Sequence, residues 1–162
     1  MLSEYSKKIE DAKKNKAEIK KFLDKLKKQN PRNLDYVCNE LHDKAFETID
    51  CLQCANCCKT TGPLLLDKDI EKLAKHFKQK PSQFSENYLH VDEDGDYVFK
   101  QLPCPFLGTD NYCSVYKDRP NACSDYPHTQ QRKMINKLAI TYHNTMICPA
   151  VADVVKGLMI KF

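Results

Sequence analysis

The sequence predicts a mainly α-helical protein with a small β-hairpin and an irregular, metal-stabilised, cysteine-rich region. Three observations lead to this prediction. Segments near both ends of the chain place apolar residues at helical spacing, and one Asp-Gly pair lies between two apolar stretches. Eight of the nine cysteines lie between residues 51 and 148, where much of the chain lacks a regular period. We therefore expect helices at both ends and loops held by metal between them.

The first predicted element is a long helix over residues 2–29. This segment contains no Gly or Pro, and its apolar residues recur at intervals of three, four and seven. These residues are Leu2, Tyr5, Ile9, Ala12, Ile19, Leu23 and Leu26. Asn30-Pro31 is expected to end the helix. A second helix from Asn33 to about Thr48 would complete an antiparallel helical hairpin, which we predict to form a first domain of residues 1–49.

Charge is concentrated in this first helix. Residues 1–30 hold ten Lys and five acidic residues, whereas the remaining residues hold 16 basic and 17 acidic ones. The nearly neutral remainder argues against a nucleic-acid surface. We expect the lysines to form a solvated helix face. The alternative is an interaction module that recruits RNA, an acidic membrane surface or a partner protein through this helix.

Two short helices and a hairpin are expected in the middle of the chain. Asp67 is predicted to cap the first helix and Ser82 the second, which would end near Tyr88. The Asp94-Gly95 pair predicts a hairpin turn between Val91 and the apolar residues 97–99.

The rest of the chain alternates between loops and one clear helix. Residues 102–127 carry four prolines and three cysteines and are expected to form loops, whereas residues 134–147 show no period that predicts an element. A closing helix is predicted from Pro149 to about Ile160.

Four cysteines within eight residues form the strongest chemical signal. Cys51, Cys54 and Cys57 are spaced by two residues, and Cys58 follows directly. Thiolates are soft, charged ligands, so such crowding favours a bound cation. Adjacent side chains tend to diverge, so Cys57 and Cys58 favour two metal centres or a polynuclear cluster over one tetrahedral ion. A vicinal disulfide would be strained and would leave the other cysteines unexplained.

Four later cysteines can complete the ligand set. Cys104, Cys123 and Cys148 lie beside or near prolines, which stiffen the backbone and reduce the entropy lost on metal binding. The predicted ligands are Cys51, Cys54, Cys57, Cys58, Cys104, Cys113, Cys123 and Cys148. Eight thiolates fit two zinc sites, two iron–sulfur clusters or one of each. Cys38, on the apolar face of a predicted helix, is expected to be an ordinary core residue.

Other polar residues are weaker candidates. His128 and His143 could replace a thiolate, but eight thiols already suffice, so we expect them to lie on the surface or beside the site. Arg119 could offset thiolate charge, bind a loop carbonyl or serve as an ordinary turn residue. Lys59, Asp125 and Tyr126 could influence the ligands from beside them, although plain surface roles are favoured.

The ordered cysteine motifs resemble those of a known family. They comprise the Cys51–Cys58 run, Cys104-Pro105-Phe106-Leu107, and the segment from Cys113 through Arg119-Pro120 and Cys123 to Tyr126-Pro127. This pattern is similar to that of the YkgJ-like cysteine-cluster family of zinc- or iron-chelating domains. The resemblance runs from about Cys51 to Cys148 and implies that the matched cysteines are metal ligands, with iron–sulfur clusters or zinc as the cofactor. We predict a cysteine-cluster metal-binding domain of residues 50–162.

These observations favour a cytoplasmic metalloprotein with a structural or electron-transfer centre. The chain has no stretch that could cross a membrane and does not begin with a secretory signal pattern. Because the loop-rich middle is expected to have little apolar core, metal would contribute folding free energy directly. The alternative function is a metal-dependent enzyme, related to redox chemistry or, through a lysine methylase with a similar cluster, to methyl transfer.

Overall fold

The computed structural model describes residues 1–162 and has the predicted class, mainly α-helical with one two-stranded antiparallel hairpin. The chain divides into two compact units by contact. We call Met1–Cys54 with Pro127–Phe162 the terminal unit, and Ala55–Tyr126 the middle unit. The division into domains at residue 50 stays a prediction.

The terminal unit consists of helices from both ends of the chain. They are α1 (Ser3–Lys14), α2 (Lys16–Gln29), α3 (Leu34–Phe46), α4 (Cys51–Cys54), α9 (Leu138–Thr145) and α10 (Pro149–Lys161). The middle unit contains α5 (Asn56–Thr60), α6 (Asp67–His76), α7 (Pro81–Tyr88), β1 (Leu89–Val91), β2 (Tyr97–Phe99) and α8 (Asn121–Asp125). Short 3₁₀ turns cover Tyr116–Asp118 and Met134–Asn136.

The predicted first helix is interrupted once. Asn15 separates α1 from α2 with φ −98° and ψ 17°. Its side-chain amide donates to the Asp11 carbonyl at 2.9 Å, so a local polar contact supports the break. Asn30 ends α2 in the left-handed conformation, φ 44°, as expected of an Asn at a helix C-terminus.

Helix α10 lies at the centre of the terminal unit. It packs most extensively against α3 and also contacts α1 and α9. Its inward residues Val151, Val154, Val155 and Leu158 are all buried, as the apolar pattern predicted. An ion pair between Lys8 and Asp153 joins α1 to α10 at the surface. The contact that buries α3 therefore comes from a helix more than 100 residues further along the chain.

The hairpin forms where the Asp-Gly pair predicted it. Leu89 pairs with Phe99 and Val91 with Tyr97. The Asp92 carboxylate accepts the N–H groups of Asp94 and Asp96, and Gly95 adopts a positive φ of 87°. The turn is therefore stabilised by one side chain and by the conformational freedom of one glycine.

The expectation that the middle segment has little apolar core is wrong. Five aromatic rings, one of them the fully buried Phe84, pack together, and they are supported by Leu73. The rings are those of Phe77, Phe84, Tyr88, Phe99 and Phe106. The ring centroids of Phe84 and Tyr88 are 4.9 Å apart, and those of Phe77 and Phe106 are 5.2 Å apart. Buried aromatic clusters contribute strongly to stability. The middle unit therefore has an apolar core of its own.

Two predicted helix caps are wrong, although both helices form. Helix α6 begins at Asp67, and it is the Asp69 side chain that accepts the N–H of the preceding Leu66 at 3.1 Å. Helix α7 begins at Pro81, and the Gln83 side chain accepts the N–H of Lys80. In both helices a side chain at the third helical position provides the cap.

Residues 134–147, for which no element was predicted, form a 3₁₀ turn and α9. Thr141 and Thr145 are buried in α9, and their hydroxyls donate to main-chain carbonyls four residues earlier. Buried polar residues of this kind obscure an apolar period in the sequence. No helix in the structure is both long and apolar enough to span a membrane.

Replacing Phe84 tests the core of the middle unit. We expect Phe84→Ala to lower the free energy of unfolding by about 3–5 kcal/mol, because a fully buried ring leaves a cavity. Denaturant unfolding followed by circular dichroism would measure the change. Val91→Ala, which shortens an exposed side chain of the same unit, is the control and should stay within about 0.5 kcal/mol of wild type. Equal effects of the two variants on the free energy of unfolding would contradict the assignment of Phe84 to an apolar core.

Candidate metal centre

The eight predicted ligands divide into two sets. Cys51, Cys54 and Cys148 belong to the terminal unit, and the other five belong to the middle unit. These five are Cys57, Cys58, Cys104, Cys113 and Cys123. The boundary between the units falls directly after Cys54, within the crowded Cys51–Cys58 run. The run thus supplies two thiols to each unit.

In the terminal unit, Cys51 and Cys54 lie at the two ends of the single-turn helix α4. Cys51 is exposed and Cys54 is buried. The Cys54 thiol lies 3.8 Å from the thioether sulfur of Met1. The side chain of Asp50 accepts the N–H of Leu52, which starts the turn. The local sequence therefore fixes the spacing of these two thiols.

Cys148 occupies the N-cap position of α10. The pKa of its thiol is raised to about 12, mainly by burial and to a smaller extent by nearby Cys51 and Cys54. The backbone N–H groups of Val151 and Ala150 act in the opposite direction, since they hydrogen-bond to the sulfur. The three thiols of the terminal unit are thus close enough to influence one another, and a helix N-terminus favours the ionised form of Cys148.

In the middle unit, Cys57 and Cys58 lie side by side on α5, with their sulfur atoms 4.0 Å apart. The hydrogen bond from Cys57 is the main reason that the pKa of Cys58 falls to about 7, and Lys59 contributes to the same shift against the effect of burial. No disulfide joins any of the nine cysteines. Cys58 is therefore the thiol most ready to ionise among those with a shifted pKa.

Cys104 and Cys113 each begin a tight turn. The N–H of Leu107 donates to the Cys104 carbonyl at 3.0 Å, and the N–H of Tyr116 donates to the Cys113 carbonyl at 3.1 Å. The two turns face each other through a bridge between Leu107 and Cys113. The N–H of Cys104 also donates to the Cys58 carbonyl at 2.8 Å. Main-chain hydrogen bonds thus connect three cysteine-bearing segments directly.

These turns direct backbone N–H groups at sulfur. Phe106 and Leu107 donate to the Cys104 sulfur, and Val115 donates to that of Cys113. Each of these hydrogen bonds acts to lower the pKa of the thiol that accepts it. Burial is nevertheless the larger effect and raises the pKa of Cys104 to about 11 and that of Cys113 above its usual value. The turns therefore provide donors for a thiolate in surroundings that otherwise disfavour one.

Cys123 lies within α8 and belongs to the same neighbourhood. The pKa of its thiol is raised to about 12, mainly by burial and to a smaller extent by Cys58, Cys104 and Cys113. Arg119 lowers it. Four thiols of the middle unit therefore act on each other electrostatically.

Asp69 fixes the segment that carries Cys123, a role that the sequence did not predict. Its carboxylate is buried and accepts the N–H of Asn121, the first residue of α8, at 3.0 Å as well as that of Leu66. The adjacent Lys72 ammonium donates to the Arg119 carbonyl at 2.9 Å. The capping pattern at the start of α6 could have identified Asp69 as a cap, but nothing local indicates its second contact.

Arg119 has the loop-holding role that was one of its predicted alternatives. Its guanidinium donates to the Tyr116 carbonyl at 2.8 Å and lies 4.0 Å from the centre of the Tyr116 ring. Its positive charge also lowers the pKa values of Cys113 and Cys123. Asp125 is exposed, whereas Lys59 is half-buried beside Cys58. Two positively charged side chains, Lys59 and Arg119, therefore lie near the thiols of the middle unit.

The histidines and Cys38 make other contacts. Cys38 is fully buried in the core of the terminal unit, as expected, and burial raises its pKa to about 12. His128 contacts Gln131 at 3.2 Å, and His143 is exposed and packs edge-on against Tyr142. His42 contacts the Thr129 hydroxyl at 2.8 Å, and burial lowers its pKa.

The donor chemistry of both sets fits zinc or iron–sulfur, although the side chains are not arranged as a finished site. All predicted donors are sulfur, the ligand type that both groups accept. No three or more His, Cys, Asp or Glu side chains have the geometry that holds an ion. The structure thus gathers the thiols within each unit, where they affect one another's pKa values.

One comparison with known proteins is informative. The model of the family described as "Putative zinc- or iron-chelating domain", named for its CxxCxxCC motif, matches residues 50–148. No curated protein and no solved structure shows significant similarity to the chain.

Asp69 offers a test of how the Cys123 segment is held. We expect Asp69→Asn to lower the free energy of unfolding by about 1–3 kcal/mol, because an amide cannot accept both buried N–H groups as the carboxylate does. Alkylation of Cys123 in the metal-free protein should also become faster, as measured by mass spectrometry. Asp67→Asn removes an exposed acid of the same helical turn and should change neither quantity. Unchanged Cys123 reactivity in Asp69→Asn would contradict the proposed support.

Thiol reactivity tests the pKa pattern. In the metal-free protein at about pH 7.5, Cys58 should react with iodoacetamide about 100-fold faster than Cys123. The pKa values of about 7 and about 12 give Cys58 a far larger fraction of reactive thiolate, and the lower intrinsic nucleophilicity of a low-pKa thiolate offsets part of that advantage. Quantitative mass spectrometry of the labelled peptides would measure both rates. Cys57→Ala removes the hydrogen bond that lowers the Cys58 pKa and should slow Cys58 selectively. Equal rates for Cys58 and Cys123 would refute the pattern.

Proposed function

Since the chain belongs to the CxxCxxCC family of zinc- or iron-chelating domains, we propose that its eight clustered cysteines form two metal centres, one in each unit, in which seven of them bind metal as thiolates and Cys57 lies beside the ligands. The observation that carries this proposal is the division of the thiols into two sets, each with backbone N–H groups directed at sulfur. Such donors stabilise thiolates without competing for the metal.

In the middle unit, the proposed ligands are Cys58, Cys104, Cys113 and Cys123. Each of the last three has a pKa raised by the charge of Cys58, which supports a common neighbourhood. A metal cation would reverse this mutual repulsion and hold the thiols ionised. Lys59 and Arg119 would offset part of the remaining negative charge, because four thiolates exceed the charge of a divalent ion. Cys57 would lie beside these ligands and favour the Cys58 thiolate through their hydrogen bond.

In the terminal unit, Cys51, Cys54 and Cys148 are the proposed ligands. Cys148 is supported by the start of α10, and Cys51 and Cys54 by the turn of α4. Binding would fix the sulfur atoms of each set relative to one another. Metal binding would therefore stabilise the cysteine-bearing loops in particular, while the aromatic cluster of the middle unit supplies stability that does not depend on metal.

The role that fits best is a structural or electron-transfer centre with iron–sulfur as the preferred cofactor and zinc as its competitor. Both accept all-sulfur ligand sets, so the iron, zinc and sulfide content of the purified protein decides between them. Anaerobic purification followed by iron, zinc and acid-labile sulfide analysis tests this choice. A visible absorption band with sulfide would support iron–sulfur, and a colourless protein with zinc alone would overturn that preference.

A second candidate function is metal-dependent catalysis at the terminal-unit centre. The observation in its favour is that this unit contributes three clustered thiols, one fewer than a closed four-ligand site, and that Cys51 is exposed. Titrating the metal-loaded protein with 2-mercaptoethanol tests for an open coordination position. A saturable spectral change that is absent in Cys54→Ser would support catalysis, and no change in the wild-type spectrum would argue against it.

Single-cysteine variants test whether there are two centres. Cys54→Ser should lose the terminal-unit metal and retain the other, while Cys123→Ser should show the reverse, because each variant removes a ligand from one set. Metal content per chain and hydrogen exchange over residues 51–127 would measure these losses. Cys38→Ala, which changes a buried core thiol outside both sets, should keep full metal content. Loss of all metal in both ligand variants would contradict two centres, and full retention in both would contradict the proposed ligands.

A further inference from the structure

A groove in the terminal unit is separate from the cysteines in sequence and in chemistry. Its volume is about 790 Å³, and it runs along α2 beside the end of α10. The residues that define its character are Lys21, Lys25 and Lys28, with Phe22 and Met159 as its apolar part. Glu18 and Asp24 also line it, and Asp24 is paired with Lys20 at 3.3 Å.

The three lysines form a row of positive charge along α2. They are spaced by four and three residues, so they follow one another on the same side of α2 at intervals of about 4.5–6 Å along the axis. All three are exposed, and none takes part in an ion pair of the chain. Like charges at this spacing destabilise a helix by a few tenths of a kcal/mol per pair, about the amount that opposite charges contribute. Glu18 and Asp24, three and four residues before Lys21 and Lys28, offset part of this repulsion, and the row keeps an excess of positive charge that favours an anionic group facing it.

Lys20 provides a contrast on the same helix. Its ammonium pairs with Asp24 and lies 5.7 Å from the centre of the Tyr142 ring, so its charge is used within the chain. The lysine row has no such partner. The difference shows that the structure satisfies one lysine of α2 internally and leaves the row available to solvent.

The apolar part of the groove adds a second requirement for any ligand that binds there. Phe22 and Met159 are half-buried and pack against the core of the terminal unit, so they form a fixed surface rather than mobile side chains. A ligand that fits both features needs anionic groups along one line and an apolar group beside them. Nucleic acid offers the charge without aliphatic side chains.

We propose that this groove binds an acidic helix of a partner protein. Such a helix presents carboxylates at positions i, i+4 and i+7, which match the spacing of Lys21, Lys25 and Lys28, and a Leu or Ile on the same side contacts Phe22 and Met159. The contact area is small and the charges are exposed, so binding is weak and salt-dependent. This inference does not depend on the metal centres.

The test uses the full metal-loaded chain and a fluorescent peptide. The probe is a helical peptide of about 18 residues, long enough to form helix in water, with Glu at i, i+4 and i+7 and one Leu beside them. Its control has the same composition with the Glu residues distributed around the helix. Fluorescence anisotropy should show saturable binding of the probe that weakens with salt and at least severalfold weaker binding of the control.

Charge reversal identifies the groove. The triple variant Lys21→Glu, Lys25→Glu, Lys28→Glu should weaken binding about tenfold or more, because three surface ion pairs become repulsive. Reversing Lys7, Lys13 and Lys14 of α1, which are exposed and outside the groove, makes the same change in net charge and should have little effect. If the first triple variant misfolds by circular dichroism, Gln at the same three positions replaces Glu.

Several outcomes would overturn the proposal. Equal binding of probe and control peptide would show only attraction between net charges. Equal losses in the two triple variants would have the same meaning. Tighter binding to phosphatidylserine vesicles or to poly(U) RNA than to the probe, lost on reversal of the groove lysines, would assign the surface to a membrane or to nucleic acid instead.

Discussion

Desolvation of clustered thiol groups is the constraint on which the arrangement of the cysteine-bearing segments depends. Burial raises the pKa of Cys104 to about 11 and those of Cys123 and Cys148 to about 12, because an ionised sulfur loses water and meets neighbouring thiols. The chain partly counteracts this effect with backbone N–H groups at Cys104, Cys113 and Cys148. A cation bound by the same sulfur atoms, as proposed above, would reverse it.

The supporting contacts explain how loops with little regular structure keep their thiols in place. Cys104 and Cys113 begin turns that bond to each other, while Asp69 holds the start of the helix that carries Cys123. Behind them, the aromatic cluster around Phe84 gives the middle unit an apolar core. Metal is therefore proposed to order the cysteine loops rather than to create the unit, a narrower role than the sequence indicated.

Much of the fold could be predicted because it is encoded locally. Helix α10 and the hairpin follow directly from an apolar period and from one Asp-Gly pair, and both lie where expected. Helix α9 was not predicted because its buried threonines interrupt the apolar period. The interruption at Asn15 was not predicted because no Gly or Pro lies there to indicate a break. The aromatic core was missed because its rings come from residues 77–106, where no single window reveals that they converge.

For the candidate site, the sequence by itself determined the donor chemistry: eight thiols, their spacing, and the family to which residues 50–148 belong. It also separated Cys38 from the rest, because a helical period identifies a buried face. Only the tertiary structure decided which thiols share a neighbourhood and what supports them. The physical reason is distance along the chain, since the bond between Asp69 and Asn121 spans 52 residues and Cys148 lies 94 residues beyond Cys54. Contacts of that range arise from packing of whole elements, which no local pattern records.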